Sequence, residues 1–166
     1  MANTDAPRGF VPIGHLTGGQ ILARAYDVDE DTDTIYKGDG LAMGLNGKVT
    51  RAAATELLAG VAAEYMATAE GKTIMVYDDP NILYEVQGYT GITFALNNVG
   101  EQGDLVATDG NSTSGVSYEE LNDTGLAKPA QFLILGKVDR SDNAWGEHVK
   151  LIVKPFHHFM AYNPTS

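Results

Sequence analysis

Fifteen residues, TIMVYDDPNILYEVQ at positions 73–87, constrain the fold of this chain more than any other stretch. Two apolar runs, 73–77 and 82–87, flank Asp78, Asp79, Pro80 and Asn81, all of them residues that favour turns. Pro80 fixes its own φ and moves Asp79 out of the helical region, while the Asp and Asn side chains hydrogen-bond nearby backbone. In the second run Ile82, Tyr84 and Val86 alternate with Leu83, Glu85 and Gln87, the period of a half-buried strand. The expectation is a strand, a tight turn and a second strand, a hairpin serving as core scaffold. Nothing in it looks like a catalytic centre.

At 166 residues the chain is long enough for one domain with a sizeable core. Its 43% hydrophobic content rules out disorder by composition, and 19 glycines and 8 tyrosines among many short apolar runs favour a β-rich fold with frequent turns. Eleven Lys and Arg against 22 Asp and Glu give a formal net charge of −11, a surface that repels phosphate backbones, so no nucleic acid is expected as a partner. With no cysteine, disulfides and thiolate metal sites are excluded. The first ten residues lack the apolar core of a signal peptide, and no run approaches the roughly 20 apolar residues that span a bilayer. Synthesis in the cytoplasm and a soluble product without membrane contact are therefore expected.

Residues 1–19 combine Pro7, Pro12, Gly9, Gly14, Gly18 and Gly19 with Phe10, Val11, Ile13 and Leu16. That mixture defeats a helix and implies an extended arm lying along something apolar. Residues 20–166 are then the domain proper. A strand over 20–28 runs into Asp27, Asp29, Asp31 and Asp33, alternating acids that suggest calcium. An EF-hand loop places glycine sixth and glutamate twelfth, where this run has Thr32 and Gly38, so it reads as a solvated acidic loop or a weak site of another kind. Asn46-Gly47 between β-compatible runs predicts a hairpin. Residues 51–57 read as a short helix or loop, 58–66 as a strand, and 88–117 as loop-rich with a strand at 105–107. Strands are also expected at 131–139 and 147–154, flanking a polar turn that carries Trp145, the only tryptophan. The fold class expected is mainly β: a single β-barrel-like or β-sandwich domain with long loops and an extended N-terminal arm.

Histidines make no metal site here: His157 and His158 are adjacent and point to opposite faces of a strand, while His15 and His148 lie far away in sequence. Asp78 with Asp79 and Glu119 with Glu120 are sequence neighbours, whereas glycosidase chemistry needs carboxyls from separate elements about 5–10 Å apart across a cleft. Turn capping and solvation explain those pairs better. The GxGxxG fingerprint, the Walker lysine and a nucleophile elbow are absent. A binding or structural protein, without enzymatic activity and without a metal or other cofactor, is expected.

The start MANTDAPRGFVP, the Gly38-Asp39 step, the Tyr77-Asp78-Asp79-Pro80 and Tyr84-Glu85-Val86-Gln87 segments, and VDRSDNAWGE at 138–147 resemble a family of tailed-bacteriophage virion proteins, the capsid decoration or cement proteins. The matching segments span nearly the whole chain in the family's order, and residues 51–71 depart from it most. The resemblance implies a β-barrel-like domain on the capsid exterior of the virion, stapling neighbouring copies of the major capsid protein and self-associating as a trimer. For that role the partner-binding candidates are Arg8, Phe10, Val11, Pro12 and Ile13 of the arm, with Asp78, Asp79, Arg140 and Trp145 of the loops. An extended arm can add a strand to a neighbour's sheet edge, and arginine and tryptophan suit the centre of an interface. Trp145 suits the core equally well. The competing expectation is a carbohydrate- or calcium-binding β-module displayed on the virion for host attachment, motivated by Asp27, Asp29, Asp31 and Asp33.

Overall fold

The computed structural model describes residues 2–29, 34–125 and 130–161, and within them nearly all regular structure is strand. With strands numbered in chain order, a six-stranded antiparallel sheet runs β1 (Val11–His15), β7 (Ile82–Gln87), β11 (Lys150–Pro155), β10 (Phe132–Lys137), β8 (Gln102–Val106), β9 (Glu120–Gly125). A five-stranded antiparallel sheet runs β2 (Arg24–Asp27), β6 (Thr73–Tyr77), β5 (Leu58–Ala62), β3 (Gly40–Met43), β4 (Val49–Arg51). Of the two architectures expected, the β-sandwich is the one found, because each sheet keeps its own outer strands. Residues 44–48 make the tight turn predicted by Asn46-Gly47, with Gly47 at φ 78°.

Both strands expected within 73–87 form, with the expected bounds, yet they do not pair with each other. β6 belongs to the five-stranded sheet and β7 to the six-stranded one, so the four residues between them form an arch from sheet to sheet rather than a hairpin turn. The two strands serve different cores. Ile82, Tyr84 and Val86 enter the larger core between the sheets, against Leu58 and Val61 of β5. Ile74 and Val76 instead enter a smaller core with Val28, Ile35 and Ala69, with Phe159 packed against it.

β5 supplies both cores, and Gly60 makes this possible. Leu58 and Val61 face the larger core while Ala59 and Ala62 face the smaller, a three-residue step that a regular strand does not give. The register slips opposite Gly60, whose φ is 151°, and a Cβ there would stand 2.0 Å from the Tyr77 carbonyl oxygen. Of residues 51–57, the stretch expected as helix or loop, Arg51 ends β4 and 52–57 form a loop in which the Glu56 carboxylate accepts the Ala53 N–H at 2.7 Å.

The N-terminal segment is extended, as expected, but what it lies along is the chain's own sheet. β1 is antiparallel to β7, with Val11 opposite Glu85 and His15 opposite Ile82. Just before it, Phe10 is 1% exposed, stacks on Phe132 at 4.2 Å between ring centroids and meets Tyr84 edge-on at 6.4 Å. Phe10 belongs to the larger core and β1 to the six-stranded sheet, so this part of the segment is built into the body of the fold.

At the other end of the chain, Leu58 donates its N–H to the His157 carbonyl and Phe159 donates to that of Leu58, which ties residues 157–159 to β5. This buries His158, whose Nδ1 accepts the Met160 N–H at 3.0 Å. Burial pushes its imidazole down from 6.5 to about 4, against weaker upward pulls from the Ala59 backbone and Asp78. A histidine neutral when folded and protonated when unfolded contributes stability above pH 6.5 that is lost as pH falls towards 4. Urea unfolding is expected to show up to about 3 kcal/mol lost across that window. In the His158→Gln chain the acid slope is expected to be shallower, and an unchanged slope would contradict the assignment.

Candidate functional site

The chain crosses between the sheets twice at one end of the sandwich, from β1 to β2 and from β6 to β7, and β1 neighbours β7 as β2 neighbours β6. The two aspartates of the arch hold both outer strands. Asp78 accepts hydrogen bonds from Arg24 Nε and Tyr26 Oη of β2, both at 2.6 Å. Asp79 meets His15 Nε2 of β1 at 2.7 Å and accepts the Asn81 N–H at 2.8 Å. Burial, and then the Asp78 hydrogen bond, pushes the Tyr26 phenol up to about 12. Burial alone would raise Asp79, but the Asn81 N–H and His15 together hold it below its ordinary value. The turn-setting bond read for these acids is made by Asp79, whose carboxylate accepts the Asn81 N–H, whereas Asp78 accepts from side chains of β2.

At the other end of β1, residues 3–8 lie across the outer face of the six-stranded sheet. The Asn3 amide donates to the carbonyls of Ala144 and Glu147 at 2.8 Å each, and its oxygen accepts the Ala144 N–H at 2.9 Å. Lys150 Nζ donates to the Thr4 carbonyl at 2.9 Å, and the Ala6 N–H donates to Gln87 Oε1 at 2.8 Å. Beneath this strap sits Glu85, only 6% exposed. Arg140 grips both its oxygens, at 3.1 and 3.2 Å, while Arg8 reaches Oε1 alone at 3.4 Å. Two sequence candidates 132 positions apart thus meet at one carboxylate.

On β1 and in the segment that leads from it to β2, large apolar side chains are exposed. Ile13, Leu16, Ile21 and Leu22 are 44, 52, 37 and 62% exposed. Single exposed apolar residues are ordinary, but four fall here within ten residues of chain. Beside it a hollow of about 410 Å³ is lined by Leu22, Arg24, Pro80 and Met160, among others. Val11 and Pro12, half-buried, line a second hollow of about 210 Å³ with Tyr77 and Val116. Pro12 has no N–H to leave unpaired, which suits an outer strand. Of the candidates read from sequence, Arg8, Ile13, Asp79 and Arg140 reach the surface; Phe10 and Asp78 are buried, and Trp145 packs half-buried against the larger core. Leu16, Ile21 and Leu22 were missed, although their spacing beside glycines in an extended segment was the available signal.

Glu119 and Glu120, expected as solvated turn caps, are both buried. Glu119 and Asp39 are wholly enclosed around Arg51 of β4: Arg51 Nε lies 2.8 Å from Asp39 and its guanidinium 4.0 Å from Glu119, with exposed Asp109 at 2.6 Å. Gly40 N–H donates to Glu119 at 2.8 Å and Tyr36 N–H to Asp39 at 2.9 Å. Burial raises both carboxyls, Glu119 well above its usual range with the Asp39 charge adding to the effect. With no exposed surface, the pair meets no substrate; it ties the loops before β3 and β9 together across the sandwich.

Asp5, Glu120 and His148 bring possible metal-binding atoms within 4.8 Å of one another. The Gln87 side-chain amide fills that space: its Nε2 donates to Asp5 at 2.8 Å and Glu120 at 2.7 Å and lies 3.5 Å from His148 Nδ1. An amide nitrogen thus occupies the space between the three side chains. In the acidic run, Asp31 and Asp33 lie outside the described residues, Asp27 accepts from Thr73 at 3.3 Å, and Asp29 accepts from Asn46 at 2.7 Å. No helix among the described residues is long and apolar enough to cross a membrane. Comparison with protein-family models, curated proteins and solved structures finds no match to this chain.

Proposed function

We propose that this chain is a virion structural protein, a capsid decoration or cement protein that binds the outer surface of an assembled phage head and staples neighbouring major capsid protein subunits. The observation that supports it is the run of exposed apolar residues, Ile13 on β1 and Leu16, Ile21 and Leu22 in the segment that leads to β2, with the aspartate arch at that end of β1 and the Arg8–Arg140 pair at the other. Exposed apolar side chains with polar groups nearby suit a protein-binding surface. The resemblance of the sequence to decoration proteins points the same way, and self-association as a trimer belongs to the same proposal. Because a capsid repeats its sites, a modest contact per copy suffices once several contacts act together. For the calcium reading, Asp27 and Asp29 among the described residues each already hold a hydrogen bond within the chain.

Co-sedimentation with assembled heads tests the proposal. The purified chain is expected to pellet with heads, and a Leu16→Asp, Leu22→Asp chain, altered only at exposed positions, to stay folded and bind about tenfold more weakly or less. Failure of the unaltered chain to bind, or undiminished binding by the variant, would overturn it.

A further inference from the structure

The chain has four arginines, and each has at least one carboxylate partner. Arg24 has Asp78 at 2.6 Å, Arg51 has Asp39 and Asp109 at 2.8 and 2.6 Å, and Arg140 holds both oxygens of Glu85 at 3.1 and 3.2 Å. Of the four closest carboxylate contacts, that of Arg8 is the longest. Among the described residues it reaches Oε1 of the same Glu85 through a single nitrogen at 3.4 Å, and 56% of its side chain is exposed. A guanidinium presents five N–H donors in a planar fork that matches a carboxylate bidentately, and with Glu85 gripped by Arg140, whose Nε also lies 3.6 Å from Asp142, it is the fork of Arg8 that is left without a bidentate partner.

The space for such a partner is present. A hollow of about 220 Å³ is bounded by Thr4, Arg8, Glu85, Arg140, Asp142 and Lys150. Its walls are held in place before any partner arrives: Lys150 is bonded to Thr4, Asn143 to the Val138 and Lys150 carbonyls, and Asn3 to Ala144. The backbone that presents Arg8 is equally fixed. Gly9 sits at φ 66° where a Cβ would lie 2.5 Å from that of Ser117, and Phe10 donates its N–H to Gly38 at 2.9 Å. Arg8 also borders the hollow of about 210 Å³ lined by Pro12, Tyr77 and Val116, so an apolar side chain beside the carboxylate has its own place.

The geometry points to Arg8 as a carboxylate-recognition residue: the hollow between Arg8 and Arg140 takes an Asp or Glu side chain from a peptide segment of the protein partner, with an adjacent apolar side chain against Pro12 and Tyr77. This deepens the decoration proposal and rests on it for the partner's identity, while the site itself is testable without heads. The surroundings select a single carboxylate over a polyanion, because Glu85 and Asp142 in the same walls, and a chain at −11, repel anything more highly charged.

The test is an NMR titration of the full chain, following arginine Nε–H signals, with the blocked peptide acetyl-Ala-Leu-Asp-Leu-Ala-amide, its asparagine counterpart, and inorganic phosphate. The aspartate peptide is expected to shift Arg8 and Arg140 saturably and to leave Arg24 unmoved, with the asparagine peptide and phosphate each binding about tenfold more weakly or less. Arg8→Gln should abolish the shift at Arg140, and Arg8→Lys, which keeps charge but loses the fork, should restore it only in part. Equal binding of both peptides, preference for phosphate, or unchanged affinity in Arg8→Gln would overturn the assignment. Co-sedimentation separates the two claims: if the unaltered chain binds heads and Arg8→Gln binds equally well, the carboxylate site fails and decoration stands. If the unaltered chain does not bind heads but the titration succeeds, decoration fails and the site stands.

Discussion

Replacing Phe10 by Ala is expected to cost the fold about 3–5 kcal/mol, the penalty of a large aromatic removed from a close-packed core. The size follows from where the ring sits: 1% exposed, stacked on Phe132 of β10 and edge-on to Tyr84 of β7, it joins the N-terminal segment to two strands of the six-stranded sheet. Deleting residues 2–16 removes β1 as well, exposing the flank of β7, and is expected to yield a chain that no longer unfolds cooperatively. Urea denaturation followed by circular dichroism measures both. A loss below about 1 kcal/mol for Phe10→Ala, the range of an exposed arm residue, would mean that the segment is not part of the core.

Arg51→Ala is expected to be comparably damaging, at about 3–5 kcal/mol, because it leaves buried carboxyls without their cation. Glu119→Gln should be far milder, since burial and the Asp39 charge raise Glu119 well above its ordinary value and so favour the neutral form, which an amide resembles. An amide keeps an acceptor for the Gly40 N–H in nearly the same volume. The pH dependence has a definite sign. A carboxyl raised in the folded chain contributes stability that is fully present below its unfolded value near 4.5 and is lost as pH rises through the folded value. Glu119 is therefore expected to lower the urea midpoint as pH rises above about 4.5, and the Glu119→Gln chain to lack that contribution. Identical pH dependence in the two chains above 4.5 would contradict the raised carboxyl.

Local order was largely legible in the sequence, and pairing was not. The bounds of β6 and β7 follow from alternation within TIMVY and ILYEVQ, and the β3 to β4 turn from Asn46-Gly47. Four residues, Asp-Asp-Pro-Asn, serve a hairpin and an arch equally well, so nothing local says that β6 and β7 join different sheets. That choice is made by the cores, which draw Ile74 and Val76 one way and Tyr84 and Val86 the other. β9, Glu120–Gly125, was invisible because only Leu121 of ELNDTG is a buried apolar residue, its remaining side chains being polar or small. The Asp39, Arg51 and Glu119 cluster was illegible for a related reason. Its members are spread over some eighty positions, and each one alone looks like a surface charge.

The candidate site divides along the same line. Arg8 and Arg140 were singled out as separate residues of arm and loop, and only the fold brings them to Glu85. Phe10 was singled out for its apolar character in an extended segment, which marks a buried residue without saying in which core. Asp79 was legible as a turn former, but its reach to His15, and that of Asp78 to Arg24, depends on two outer strands that the sequence leaves unplaced.

Cryo-electron microscopy of phage heads with and without this chain tests the decoration proposal most directly. The account predicts added density on the outer surface at symmetry-related positions, with the β1 rim and residues 13–22 turned towards the major capsid protein. Density absent from the outer surface, or a bound chain whose β1 rim faces solvent, would contradict it.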